Sequence, residues 1–349
     1  MANLIYQNET SQVQELQELE IIVAKPPKWF FLLKKTIKEK YDVLMISALD
    51  DPGKILNFIP SFLVAKCRKK KIVYDFLYWE WNKGKIKVHV LKRLRRNFIK
   101  ILRGPLIRRM DRILTYGNNP MNYLLRCGIA EKIMIPTVDV STMDDRLGHG
   151  ENIRIEFDIP KEKLIVLYFG RIIPRKGLNY LIESFIKEGL QEKAVLLIAG
   201  SGKKKYLGYC KELAIGTSDI LFAGHMKSSK RFQFFSQSDI FVLPCYPKEN
   251  AVEPWGLSVN EALQAQTSVL TTDNAGVAGT VLSNGENSVV ISSDNLSEEL
   301  GKSLKLLIED DALRKRIAAN GRKTYEEKLR TAHKVQSFCE AMALAFGSR

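Results

Sequence analysis

The sequence predicts an α/β protein built on two doubly wound parallel sheets. Short β-branched runs alternate with longer helical stretches along most of the chain, the pattern left by crossover connections between parallel strands. The 349 residues are enough for two domains at about 100–200 residues each. The alternation breaks once, after about residue 137, at the irregular acidic segment VDVSTMDDRLGHGENIRIEFDIP, which reads as the link between two halves.

In chain order, the first half offers strands EIIVA (20–24), DVLMIS (42–47), KIVYDF (71–76), RILTYG (112–117) and KIMIP (132–136). Helical stretches separate them at about 28–40, 52–69, 86–103 and 119–127. The second half offers KLIVLYFG (163–170), AVLLIAG (194–200), DILFAG (219–224), DIFVLP (239–244), SVLTTD (268–273) and SVVIS (288–292), most followed by a helix. Helical sequence at about 295–309 and 311–345 closes the chain. The domains are read as 1–150, 151–325, and a C-terminal helix over 326–349 whose candidate packing surface is the first domain.

Composition is that of a folded globular chain, 45% hydrophobic and 27% charged, which excludes global disorder. Five scattered cysteines without a C-x-x-C predict neither a disulfide framework nor a structural zinc site, and favour a reducing, cytoplasmic setting. The opening MANLIYQNET has no secretory pattern, and no apolar run reaches the length of a spanning helix.

The net charge of +15 is uneven. Residues 1–150 carry 27 basic against 15 acidic residues, net +12, while the remainder is net +3. Within 83–112, 12 basic residues face one acid, Asp111, a net of +11. Nucleic acid, an anionic membrane face and phosphorylated substrates all fit such a surface. No RRM, KH or helix-turn-helix signature accompanies it, so nucleic acid is not expected as a partner.

Ligands of doubly wound sheets sit beyond the carboxyl ends of the strands, so residues just after strands are read first. EPWGLSVNEA (253–262) follows the strand DIFVLP and the loop CYPKENAV. Pro254 and Gly256 suit a turn that opens a helix, whose first amides lack intrahelical partners and attract anions. Glu253 and Glu261 place two carboxylates eight residues apart. An ionised carboxylate is a pure acceptor, suited to sugar or ribose hydroxyls. Two surface glutamates give the same spacing; the ordered string Glu-Pro-aromatic-Gly-Leu before Asn-Glu-Ala is the specific part.

FGRIIPRKG (169–177) follows another strand and opens a helix, with Arg171 and Lys176 flanking the turn. The pair is suited to clamp a diphosphate, and is equally the composition of a solvated basic turn. AGSGKKKY (199–206) has neither P-loop nor G-x-G-x-x-G spacing, so it reads as a close backbone approach or a tight turn. The acidic pairs Asp50-Asp51, Asp144-Asp145 and Asp310-Asp311 read as turn and cap residues rather than metal ligands.

Together and in this order, these elements resemble the retaining GT-B glycosyltransferases of family 4, which include bacterial lipid-linked saccharide and cell-surface polysaccharide transferases. GRIIPRKG looks like the family's G-R-x4-K-G element, AGSG its strand-end glycine element, and FAGHM (222–226) its nucleobase-side element. EPWGLSVNEA looks like its Glu-x7-Glu signature, and TTDNAGVAG (271–279) the glycine loop that follows.

The resemblance implies two Rossmann-like domains across a cleft, with the acceptor on the first and a nucleotide-sugar donor, a UDP-sugar foremost, on the second. It implies retention of anomeric configuration with no metal or other cofactor. Arg171 and Lys176 would hold the diphosphate, Glu253 the donor sugar and Glu261 the ribose. Gly170, Gly200, Trp255, Gly256, Leu257, Ser258, Ala275 and Gly276 would line the donor, with His225 and Met226 edging the base.

The first half matches the family only loosely. Asp75, at a strand end, is the candidate acceptor-side acid, and Trp79 and Trp81 could stack on an acceptor sugar or dip into a membrane interface. In KIKVHVLKRLRRNFIKILRGPLIRRM (85–110), Leu91, Leu94, Phe98 and Leu102 form one helical stripe. In one reading the helix lies on anionic headgroups, with Lys92, Arg93, Arg95, Arg96, Lys100 and Arg103 facing the membrane. In the other it is a crossover helix whose stripe packs on the sheet and whose basic face is solvated; the two are compatible. The expectation is a peripheral protein on the inner face of the cell membrane, using a saccharide or lipid-linked acceptor.

Overall fold

A computed structural model describes residues 21–24, 29–47, 49, 52–78, 90–141, 143, 152–247 and 252–347. It shows an α/β fold with two parallel sheets. Trp79, Trp81 and His89 lie outside the described residues, as do Asp50, Asp51, Asp144 and Asp145.

The first sheet has strands β1 (Ile21–Ala24), β2 (Val43–Ser47), β3 (Lys71–Phe76), β4 (Arg112–Tyr116) and β5 (Met134–Thr137), paired in that order and all parallel. They are joined by α1 (Trp29–Lys38), α2 (Pro52–Cys67), α3 (Val90–Ile107) and α4 (Asn118–Arg126). A strictly sequential order steps every crossover in one direction, and crossovers of one hand then place every helix on one face. Phe58, Phe62, Ile107, Tyr123 and Leu124 accordingly share one core with the alternate strand residues Leu44, Ile46, Ile72 and Tyr74.

The other face needs a different cover. Val43, Val73, Leu114 and Ile135 pack there against Ala341 and Met342 of the C-terminal helix. The single helical stretch expected at 311–345 is two helices, α11 (Asp311–Lys328) and α12 (Thr331–Phe346). Leu329 between them is buried in the second-domain core, and Arg330 takes extended backbone, so the chain turns toward the first sheet. Asp310 caps α11, its carboxylate accepting from the Leu313 amide at 2.8 Å.

The second sheet holds β6 (Leu164–Phe169), β7 (Ala194–Ala199), β8 (Ile220–Gly224), β9 (Ile240–Leu243), β10 (Ser268–Thr272) and β11 (Val289–Ile291), in the order β11-β10-β9-β6-β7-β8. Its helices are α5 (Ile153–Glu156), α6 (Leu178–Lys187), α7 (Lys204–Leu213), α8 (Arg231–Ser236), α9 (Leu257–Gln264) and α10 (Leu296–Glu309). The chain runs outward from β6 to β8, then returns beside β6 with β9. That reversal makes β6 and β9 the switch point, where such sheets open a crevice for ligand. Separate cores cover the two faces, one around Leu181, Phe185 and Leu304, the other around Phe234, Val259 and Leu263.

Helix α3 corrects one expectation. Arg103 does not face outward; it is 4% exposed. It donates to the Tyr123 hydroxyl at 2.9 Å and the Leu49 carbonyl at 3.3 Å. Its guanidinium lies 5.4, 5.2 and 5.8 Å from the ring centroids of Phe76, Tyr78 and Tyr123. Two acceptors and three ring faces replace the water that a buried guanidinium loses. Lys100 is half-buried, its ammonium 5.7 Å from the Tyr123 ring. The side chains of Lys92, Arg93, Arg95 and Arg96 lie outside the described residues.

Candidate active site

The carboxyl ends of β6 and β9 bring Lys176 and Glu253 together from distant parts of the sequence, and Arg171 stands in the same connection after β6. After β6, Gly170 and Arg171 lead into a single 3-10 turn, Pro174–Lys176, that opens α6. Gly177 closes the turn in the left-handed region at φ 70°, and a Cβ there would lie 1.9 Å from the Pro244 carbonyl oxygen. Only glycine allows the turn to press against the end of β9.

Glu253 is 7% exposed and stands at the centre of the turn. Its Oε2 accepts from Lys176 Nζ at 2.9 Å and from Arg175 Nη1 at 2.5 Å. Arg175 also donates to the Val252 carbonyl at 3.1 Å. Burial alone would raise the Glu253 pKa; the Lys176 ammonium and Arg175 guanidinium outweigh it and hold the carboxyl below its ordinary range. Glu253 is therefore an anion at neutral pH, pinned by two cations. Arg171, by contrast, is exposed and makes no ion pair among the described residues.

The backbone around Glu253 is fixed by the glycine loop after β10. Ala275 bridges to Glu253, and the Gly276 amide donates to the Glu253 carbonyl at 3.0 Å. A Cβ on Gly276 would meet the Pro254 carbonyl oxygen at 1.9 Å. Gly256 then starts α9 at φ 103° without a side-chain cap, while Leu257 is exposed and Ser258 buried in the first turn. An uncapped helix start beside two cations is a site for an anion.

Trp255 corrects a second expectation. It is 1% exposed and packed in the core, so its ring does not line a donor. Its indole N–H donates to Asn260 Oδ1 at 3.0 Å, and Asn260 donates in turn to the Asp139 carbonyl at 2.8 Å. The aromatic residue anchors the interdomain connection instead.

Glu261 is 0% exposed. Its Oε1 accepts from Ser141 at 2.6 Å and from Arg231, which also lies 5.5 Å from the Phe169 ring centroid. Its Oε2 is buried with no partner among the described residues. Burial raises its pKa and exceeds the opposing effects of Ser141 and Arg231. The two glutamates thus differ: one is held ionised, the other is pushed toward its protonated form. On the nucleobase side, Gly200 donates to the Gly224 carbonyl at 2.7 Å, and after β8 His225 is exposed and Met226 half-buried.

Sequence reasoning missed Arg175, Arg231 and Ser141. Arg175 sat in plain view inside GRIIPRKG but was read as spacer. Arg231 and Ser141 belong to no motif, and only the fold brings them to Glu261.

Contacts between the domains surround this region. Asn118, at the start of α4, donates from its side chain to the Gly279 carbonyl at 2.7 Å, and its amide donates to Thr280 at 3.2 Å. Gln264 exchanges two 2.9 Å bonds with the Met143 backbone. Val252, next to Glu253, joins the first-domain core.

Asp75 lies with Tyr116, Lys334 and Asp139 rather than with Glu253. Burial raises its pKa, against the Tyr116 hydrogen bond and the Lys334 charge, and Asp139 adds to the rise. A raised carboxyl binds its proton more tightly when folded, so it lowers stability as pH climbs from the ordinary carboxylate range through the folded value. Asp75→Asn removes that penalty. The variant is expected to be more stable than wild type above this window and equal to it below, as read by urea denaturation at neutral and acid pH.

Cys245 is a poor nucleophile: burial, followed by the charge of Glu253, pushes its thiol up to about 12. Among the described residues, no group of three or more His, Cys, Asp or Glu side chains could hold a metal ion.

This fold and this strand-end site define a class. The protein-family model for glycosyl transferases group 1 matches residues 150–324, half of the chain, and the chain belongs to that family. It is 29% identical over 177 residues to the capsular polysaccharide biosynthesis glycosyltransferase CapM of Staphylococcus aureus, covering 48% of this chain and 42% of that protein. Over 322 residues it is 22% identical to the glycosyltransferase MJ1069 of Methanocaldococcus jannaschii, covering 89% of this chain and 77% of that protein. The chain thus spans less than half the length of CapM and most of MJ1069. The solved structure of Anabaena HepE in complex with UDP aligns with a TM-score of 0.71 at 14% identity, over 90% of this chain and 81% of that one. That likeness shows the GT-B fold.

Proposed function

We propose that the protein transfers a sugar from a nucleoside-diphosphate sugar, a UDP-sugar foremost, to a saccharide or lipid-linked acceptor, with retention of anomeric configuration. The observation that carries the reading is the Lys176–Glu253 pair at the switch point of the second sheet, with the exposed Arg171 in the same connection after β6 and the uncapped start of α9 shortly after Glu253 in the chain. Family membership supports it, as do the capsular polysaccharide role printed for CapM and the UDP bound to HepE.

The chemistry needs few groups. As the bond between the sugar and the diphosphate breaks, negative charge builds on the leaving oxygen. Arg171, Lys176 and the α9 amides stabilise that charge as it develops. Glu253, kept ionised, accepts hydrogen bonds from the sugar hydroxyls and orients the ring. Glu261 faces the ribose, where a hydroxyl would satisfy its unpartnered oxygen. The acceptor hydroxyl adds to the anomeric carbon on the face the diphosphate leaves, and its proton passes to the departing phosphate oxygen. We place this chemistry on the cytoplasmic side, in cell-surface polysaccharide or glycolipid synthesis; all five cysteines are unpaired.

The test is a panel of nucleotide sugars with saccharide and lipid-linked acceptors, scored for release of free nucleoside diphosphate. A UDP-sugar is expected to turn over, and chelation is expected to leave the rate unchanged because protein cations neutralise the leaving group. No release from any donor, with no protection of the fold by any nucleoside diphosphate, contradicts the reading.

A further inference from the structure

Helix α3 turns an apolar face to solvent. Leu94 is 56% exposed, Phe98 49% and Ile101 69%. They stand at i, i+4 and i+7, on one side of the helix. The opposite side is occupied: Ile99, Leu102, Leu106 and Ile107 pack into the first-domain core, and Arg103 is buried among three rings. The helix cannot roll to hide Leu94, Phe98 and Ile101 without expelling Arg103 from its acceptors. Of the stripe read from the sequence, Leu102 packs on the core while Leu94 and Phe98 face solvent, so the crossover reading holds for only part of it.

The helix also carries Lys92, Arg93, Arg95, Arg96 and Lys100 besides the buried Arg103, and no acidic residue; Arg93 and Arg95 come about 100° to either side of Leu94 around the helix. That charge selects the occupant of the exposed face. A second copy of this chain would set one basic helix against another, with no acidic residue on either to offset the repulsion, which opposes docking. An anionic bilayer offers acyl chains to the three apolar residues and negative headgroups to a helix of this charge, as for a helix lying in the plane of a membrane interface. Among the described residues no helix is long and apolar enough to cross a membrane, so α3 would lie in the interface.

We propose that α3 docks the protein on an anionic lipid surface by burying Leu94, Phe98 and Ile101 in the interface. The claim rests on α3 alone and does not depend on glycosyl transfer.

The test is flotation of the full chain with phosphatidylcholine vesicles, with and without phosphatidylglycerol, at low and high salt and without donor or acceptor. Wild type is expected to float with anionic vesicles and to keep part of that binding at high salt. The variant Leu94→Gln/Phe98→Gln/Ile101→Gln is expected to bind about tenfold more weakly, or less, at an unchanged urea midpoint. A Phe98→Trp variant is expected to be quenched by bromine-labelled acyl chains beyond the background of the native tryptophans. Wild-type binding by the triple variant overturns insertion, and equal binding to neutral vesicles overturns the charge argument. Dimerisation that the triple variant abolishes, without vesicle binding, would show the face to be an interface between copies and overturn the proposal.

Discussion

Replacing Glu253 with alanine is expected to lower the transfer rate by about 10²–10³-fold and folding stability by about 3 kcal/mol. The two effects have separate causes. The rate falls because the donor sugar loses the acceptor that orients it. Stability falls because Lys176 and Arg175, both drawn to Glu253 Oε2, are left as adjacent cations, with Lys176 only 7% exposed. Glu253→Gln keeps the volume and one acceptor oxygen, so it is expected to recover part of the stability. Its rate should stay low, since a neutral amide does not balance two cations. Steady-state kinetics and urea denaturation on both variants separate the causes. Wild-type rates in both would remove Glu253 from the site.

Arg171→Ala is expected to do the opposite to the fold. The side chain is exposed and unpaired among the described residues, so stability should change by less than about 0.5 kcal/mol. Transfer should fall roughly 10²-fold, because an exposed guanidinium with no ion pair among the described residues is the cation most available to a diphosphate. Lys176→Ala gives the control: it frees Glu253 from one of its two cations and should lower rate and stability together. Equal loss of stability in the Arg171 and Lys176 variants would show that the ligand-free pairing does not separate their roles.

Strand ends were legible in the sequence because β-branched runs and the turns after them are local signals. Arg171, Lys176 and Glu253 could be read as candidates because doubly wound sheets gather ligand groups at those ends, and Gly276 through the resemblance of TTDNAGVAG to a family loop. Tertiary geometry hid the rest. Arg175 and Arg231 each reach across a different segment, by 78 and 30 residues, to hold one glutamate. Trp255 sits inside the strongest motif, yet its indole turns into the core to reach Asn260. Helix α3 has large apolar residues on two faces, so periodicity could not decide which one packs. Arg103 decided it, because three rings were there to receive it. The sequential order of the first sheet was likewise invisible, and with it the need for α12 to return and cover the second face.

The central claim is that the switch point of the second sheet holds a nucleoside diphosphate through its terminal phosphate. Comparing the affinities of UDP and UMP for wild type and Arg171→Ala by calorimetry tests it most directly. The account predicts that wild type binds UDP more tightly than UMP by about tenfold or more, and that the variant loses most of this preference. Equal affinities for UDP and UMP in wild type, or a preference unchanged in the variant, would contradict it.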